Sequence, residues 1–226
     1  MGARVVSLIP SMTETLLDWG VTPVACTRFC EQPQLPHVGG TKDPDVHAIV
    51  ALRPDLVILD IEENRREDHD ALVAAGVEVH VLRIRSVDDV APQLEPLAER
   101  LGVQWRMPTI DVPTRAGRLS AFVPIWKRPW MALGAPTYGT SVLEQVGITN
   151  VFRGDGAYPE TTLEEAQRRR PDLVLAPSEP YPFAERHRAQ LETVAPVVFV
   201  DGKDLVWWGT RTAPALRRLA EGLPNA

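Results

Sequence analysis

The side chains in this sequence most suited to chemistry are aromatic, and the chemistry they suit is binding. Four of the six tryptophans fall in two short stretches, Ile125-Trp126-Lys127-Arg128-Pro129-Trp130 and Leu205-Val206-Trp207-Trp208-Gly209-Thr210-Arg211. Each stretch interleaves indole rings with cations. A single tryptophan is as readily a core residue as a contact residue. Four in two polar, Pro- or Gly-punctuated stretches predict a flat-walled apolar cleft with a few polar contacts. Tyr158 and Phe29 extend the aromatic set, and Ser11, Thr41, Lys42, Arg128 and Arg211, with Pro10 beside Ser11, supply the polar rim.

Signatures of catalysis are missing. The sequence has no Gly-x-Gly-x-x-Gly, P-loop, Gly-x-Ser-x-Gly or His-Glu-x-x-His pattern. Of the five histidines, His47 and His69 fall on predicted helices and His80 in a predicted strand, His187 stands apart from them, and His37 is the one near the aromatic loops. They form no ligand cluster, so an intrinsic metal or other cofactor is not expected; His37 is at most an axial ligand to a bound complex. Cys26 and Cys30 are too few for a zinc site; they read as one buried thiol and one loop thiol, with a disulfide between them as the alternative. A net charge of −6 without a basic stripe argues against nucleic acid. Hydrophobic content of 44% and charged content of 24% are those of a globular protein. No apolar run approaches the roughly 20 residues of a spanning helix. Met1-Gly2-Ala3-Arg4 leads straight into the first strand with no secretory apolar region. A cytoplasmic location follows for the chain as written, and a periplasmic or other extracytoplasmic one if a leader was removed.

The elements that must position these residues are organised around a repeated unit. Ala51-Leu52-Arg53-Pro54-Asp55-Leu56-Val57-Ile58-Leu59 returns as Arg168-Arg169-Arg170-Pro171-Asp172-Leu173-Val174-Leu175-Ala176, the two prolines 117 residues apart. In each copy a helix ends in basic residues, which suit its C-terminal dipole, proline stops it, and an unbroken apolar run follows. Such a run reads as a parallel strand covered on both faces. The flanks repeat as well. Val5 to Ile9 and Leu119 to Pro124 read as first strands, and Gly20-Val21-Thr22 and Gly147-Ile148-Thr149 close the helices after them. Ser11 and Glu14 have capping-box spacing. The pattern predicts two Rossmann-like parallel-sheet lobes, residues 1–85 and 105–226, joined by one helix over 86–104 that Pro92 and Pro96 should bend or break. A polar turn is expected around Arg115-Ala116-Gly117. Ligands of such sheets sit beyond the carboxyl ends of the strands, so the aromatic loops are expected to line a cleft between the lobes.

Val5-Val6-Ser7-Leu8-Ile9-Pro10-Ser11-Met12-Thr13-Glu14, the Val38-Gly39-Gly40-Thr41 loop, both Arg-Pro-Asp-Leu-Val units and Tyr158-Pro159-Glu160 resemble the iron/cobalamin-type, helical-backbone solute-binding proteins of ABC transporters. Glu62-Glu63-Asn64-Arg65-Arg66-Glu67 and Pro129-Trp130-Met131-Ala132 are most similar to a signal-less branch of helical-backbone metal receptors. The resemblance implies a monomeric, non-catalytic protein that holds a cobalamin-like corrinoid, haem, ferric siderophore or similar metal complex in the cleft and works with an ABC-transporter permease. The contacts expected from their places after strands and before the central helices are Pro10, Ser11, Phe29, Thr41, Lys42, Trp126, Trp130, Tyr158, Trp207, Trp208 and Arg211. Among the ligands, the aromatic bias favours a corrinoid or another tetrapyrrole. The resemblance also implies transporter-docking acids, near Glu62, Glu63 or Glu67 in the first lobe and near Glu179 or Glu185 in the second. Acids at helix N-termini also stabilise the helix dipole with no partner at all. The joining helix departs from the family by being short and holding two prolines. Two other classes remain open: a tetrapyrrole chelatase or corrinoid-processing enzyme, and an intracellular ligand-sensing or partner-binding module. Neither membrane insertion nor nucleic-acid binding is expected.

Overall fold

A computed structural model describes residues 2–112 and 119–224; the turn expected at Arg115-Ala116-Gly117 lies outside the described residues. The chain divides into two units, one of residues 1–84, 88–107 and Trp208–Thr210, the other of residues 85–87, 108–207 and 211–226.

The first unit runs β1 (Val5–Ser7), α1 (Pro10–Asp18), β2 (Ala25–Cys26), α2 (Val46–Ala51), β3 (Leu56–Asp60), α3 (Arg66–Ala74), β4 (Val79–Leu82) and α4 (Val90–Arg100). Its sheet has the order β2-β1-β3-β4 with every pairing parallel. Val6, Leu8, Ala25, Ile49, Val57, Leu59 and Leu72 form its core. β3 is buried along its whole length, as its apolar run predicts.

The second unit begins with β5 (Leu119–Phe122), β6 (Pro124–Lys127), β7 (Trp130–Ala132), α5 (Tyr138–Gln145), β8 (Ile148–Asn150) and β9 (Glu160–Thr161). It continues with α6 (Leu163–Arg168), β10 (Leu173–Pro177), α7 (Arg188–Leu191), β11 (Val197–Val200), α8 (Gly202–Val206) and α9 (Thr212–Gly222). Its main sheet has the order β11-β10-β5-β8, again all parallel. Counted along the main strands, both sheets follow the order second-first-third-fourth. Phe122, Phe152, Val174, Ala176 and Leu191 build this core. β6, β7 and β9 form a separate antiparallel sheet.

The Arg-Pro-Asp units are alike in backbone detail. Arg53 has φ 48° and Arg170 φ 51°, the left-handed turn that ends a helix and reverses the chain into the strand. A non-glycine side chain is strained in that conformation.

Two local expectations are corrected. Ser11 does not cap α1. The helix starts at Pro10, whose fixed φ and missing N–H suit a first helical position, and Ile9 holds the cap position without a side-chain bond. α4 is a single eleven-residue helix that is not broken at its prolines. Pro92 lies in its first turn, where no intrahelical N–H is required, and Pro96 is carried inside.

Candidate functional site

In each main sheet the connections leave the first and third strands in opposite directions, which puts the topological switch point at the carboxyl ends of those two strands. In the first unit these ends are held by one buried amide. Asn64 donates from Nδ2 to the Leu8 carbonyl after β1 (3.2 Å) and to the Thr41 carbonyl before α2 (2.9 Å), while its Oδ1 accepts the Asp60 N–H at 2.8 Å. Three connections are thus tied to one side chain. Asn150 does the corresponding work in the second unit. Its Nδ2 donates to the Leu133 carbonyl and to Thr140 Oγ1, at 2.9 and 2.8 Å, and its Oδ1 accepts from Phe152 N–H. Sequence reasoning missed both residues, because an asparagine beside a strand reads as a turn former.

Of the first-unit contacts expected, Phe29 is 51% exposed, with the Arg28 guanidinium 4.7 Å from its ring centre. Arg28 is itself paired with Asp43 at 2.9 Å. Lys42 is exposed but donates to the Glu62 carbonyl. Pro10 is half-buried and Thr41 is buried, its carbonyl held by Asn64. Ser11 is buried within α1.

In the second unit the expected post-strand loop is a β-hairpin. Trp126 lies on β6 and Trp130 on β7, and Pro124, Trp126 and Lys127 pair with Ala132, Met131 and Trp130. Trp126 is 44% exposed and meets Tyr181 edge-on at 5.6 Å. Trp130 is half-buried and stacks on Phe183 at 6.0 Å with 7° between the rings. Tyr158 is 45% exposed.

The stretch around Trp207 departs most from expectation. Trp207 is half-buried, with Lys203 Nζ 4.6 Å and the Arg211 guanidinium 5.7 Å from its ring centre. Arg211 also reaches buried Asp204 at 3.3 Å, a carboxylate whose two oxygens accept from the Arg218 guanidinium. Arg211 is therefore engaged within the protein rather than standing as an open cation on a rim. Trp208 is 5% exposed, enclosed rather than presented to solvent. Gly209 has φ 116°, and a Cβ there would overlap Thr15 Oγ1. The close approach that glycine permits is to the protein's own α1, not to a ligand.

The acids proposed for docking are surface residues except where the backbone encloses them. Glu63, Glu67 and Glu185 are exposed; Glu62 and Glu179 are half-buried. Glu185 is paired with Arg188 at 2.5 Å, which holds its carboxyl below the usual range.

Both cysteines are free and buried, Cys26 on β2 and Cys30 in the loop after it. Cys30 Sγ accepts from Thr13 Oγ1 at 3.2 Å and lies 3.2 Å from Thr27 Oγ1. A hydrogen bond from the Cys26 thiol, helped by the two threonines, pulls the Cys30 thiol down to about 6 against the effect of burial, while Cys26 is pushed up. No cluster of three or more His, Cys, Asp or Glu able to hold a metal occurs among the described residues. His37 is exposed and its ring contacts the Gln32 carbonyl at 3.1 Å. No helix among the described residues is long and apolar enough to cross a membrane.

Two units with parallel sheets of the same strand order, and loops converging on their switch points, define the fold of the helical-backbone periplasmic binding proteins. Residues 5–110 match the model of the periplasmic binding protein family. The chain is similar to the vitamin B12-binding protein of Yersinia pestis (strain Pestoides F), 25% identical over 191 positions, covering 76% of this chain and 68% of the relative. Among solved structures it shares its fold with the periplasmic vitamin B12-binding protein of Vibrio cholerae. The TM-score is 0.79 with 17% identity, covering 97% of this chain and 96% of the other. It shares it too with the periplasmic haem-binding protein BhuT in complex with two haems, at TM-score 0.81 and 21% identity, covering 97% of each chain. The resemblance to solute-binding proteins stated from the sequence thus holds in the family model, in a curated relative and in the fold.

Proposed function

We propose that this chain is the substrate-binding component of an ABC uptake system for a metal complex, and that the complex is a planar corrinoid or another tetrapyrrole. The observation that supports the planar ligand is the exposure of aromatic rings at the candidate loops. Phe29, Trp126 and Tyr158 keep 51%, 44% and 45% of their surface in water. Aromatic side chains open to solvent offer flat apolar faces to a planar ligand. The relatives named for vitamin B12 and the fold neighbours named for vitamin B12 and haem support the same ligand class. They are named as binding proteins, which supports a non-catalytic reading. A role beside a permease would put the protein on the extracytoplasmic face, a reading supported by the neighbours named as periplasmic.

The experiment is a titration with cyanocobalamin, cobinamide and haem, followed by tryptophan quenching and by the absorbance of the complex. Saturable one-site binding of at least one of the three is expected. Replacing Trp126 by alanine should weaken it about tenfold or more, as truncation of a central aromatic does. No saturation by any of them would remove the tetrapyrrole reading.

A further inference from the structure

The hairpin of β6 and β7 rests on a cluster of rings from the segment that follows β10. That strand ends at Pro177, and the chain then turns back on it. The Phe183 N–H donates to the Pro177 carbonyl at 3.2 Å and to the Tyr181 carbonyl at 2.8 Å. Phe183 and His187 are both buried, with their ring centres 5.5 Å apart. The His187 ring is fixed in turn, because its Nδ1 accepts the Ala184 N–H at 3.1 Å. Tyr181 is half-buried and packs against both rings, 4.8 Å from Phe183 and 5.6 Å from His187.

The two hairpin tryptophans meet this cluster differently. Trp130 lies parallel to Phe183, with 7° between the planes, and Lys127 Nζ stands 5.9 Å from its ring centre. The protein's own side chains thus occupy that indole. Trp126 meets Tyr181 at 5.6 Å with 78° between the planes, the edge-to-face arrangement that ring quadrupoles favour. A perpendicular neighbour covers at most one face of the indole, and Trp126 stays 44% exposed. An exposed side chain that a ligand must fix loses rotamer freedom, and that loss is subtracted from affinity. A neighbour that already holds the ring removes part of the loss. Tyr181 can do so because it is packed at once against two buried rings and against Trp126.

We propose that Tyr181 is a positioning residue of the planar-ligand site, carrying the order of the buried Phe183–His187 pair out to Trp126 so that the indole meets the ligand already oriented. The proposal rests on the reading of Trp126 as a ligand contact. It also separates the two tryptophans: Trp126 offers a face to the ligand, and Trp130 anchors the hairpin to the cluster.

The test is a double-mutant cycle on the whole chain, using whichever of cyanocobalamin, cobinamide and haem saturates the wild type. Fluorine NMR of the chain labelled with 5-fluorotryptophan runs beside it, the Trp126 resonance being identified by its loss in Trp126→Phe. Tyr181→Ala should weaken the ligand about fivefold and move the Trp126 resonance towards that of an unfolded chain. Tyr181→Phe keeps a ring and should restore both. In a Trp126→Ala background, removing Tyr181 should weaken the ligand no further, since its effect passes through the indole. Tyr181→Leu, apolar but without a ring, takes the place of Tyr181→Ala if that variant does not fold. Wild-type affinity in Tyr181→Ala overturns the proposal. So does a further loss in the Trp126→Ala background, which would make Tyr181 a contact in its own right. If none of the three ligands binds, the tetrapyrrole reading falls by itself, and the resonance still decides the hold on Trp126: a shift in Tyr181→Ala sustains it, and an unmoved signal overturns it.

Discussion

Asp55 and Arg4 hold each other by reciprocal hydrogen bonds. The Asp55 carboxylate accepts the Arg4 N–H at 2.7 Å, and the Asp55 N–H donates to the Arg4 carbonyl at 2.8 Å. Asp172 and Ser120 repeat the pair at 2.7 and 2.9 Å, and Ser120 adds its hydroxyl to the same carboxylate oxygen. The aspartate of each Arg-Pro-Asp unit therefore pins the entry of the third strand to the entry of the first.

Replacing Asp55 or Asp172 with alanine should lower stability by about 1 kcal/mol each, the ordinary net worth of such bonds, read as a lower urea midpoint. Asp172 also predicts a pH effect. The Ser120 hydroxyl and then its N–H hold the Asp172 carboxyl below its usual value. Its stabilisation is present above the unfolded carboxylate's pKa and is lost as pH falls through the lower folded value. Acid unfolding of Asp172→Asn should therefore be less steep below about pH 4.

Trp126 and Trp208 should part company when truncated. Trp126→Ala removes a half-exposed ring and is expected to leave the unfolding midpoint nearly unchanged while weakening ligand. Trp208→Ala empties a buried site and should cost about 3–5 kcal/mol. Thermal melts beside ligand titrations separate the two effects; a stable Trp208→Ala chain with lost binding would reverse the assignment.

The two thiols should titrate far apart. Thiolate absorbance near 240 nm is expected to rise with a midpoint at about 6 for Cys30. Cys26 should stay protonated well past the range of a free cysteine. Cys26→Ala removes the donor to Cys30 and should move the midpoint upward, and a midpoint unmoved in that variant would mean the threonines suffice.

Transporter docking is expected to depend on Glu63 or Glu67 in the first unit and Glu185 in the second. Charge reversal in both units should abolish uptake in a reconstituted system and leave ligand affinity intact. Glu185 must first release Arg188, so Glu185→Lys should also loosen the turn before α7. Full uptake in the double variant would return these acids to helix-end electrostatics.

Much of the fold was legible because its signals are local. Leu56 to Leu59 and Leu173 to Ala176 are apolar without interruption, and Pro54 and Pro171 mark where each helix ends. The site was less legible because exposure is decided by neighbours distant in sequence. Trp126 and Trp130 read as loop residues since a four-residue strand paired with a three-residue one leaves too little alternation to notice. Trp208 and Gly209 look alike whether they face a ligand or α1, and only Thr15, nearly two hundred positions away, distinguishes the cases. Asp60 was hidden by its own strand: one acid at the end of an apolar run reads as the exit to solvent, yet it is buried.

The placement of Trp208–Thr210 in the first unit has a consequence for biosynthesis. Thr210 donates its N–H to Thr15 at 3.3 Å and its hydroxyl to Asp18 at 2.5 Å, so the face of α1 waits for residues made almost two hundred positions later. During translation the first-unit residues before Pro108 emerge first, but the face of α1 stays incomplete until Trp208–Thr210 have been made. A product cut short before Trp208 would thus lose contacts on α1 in addition to the residues it lacks.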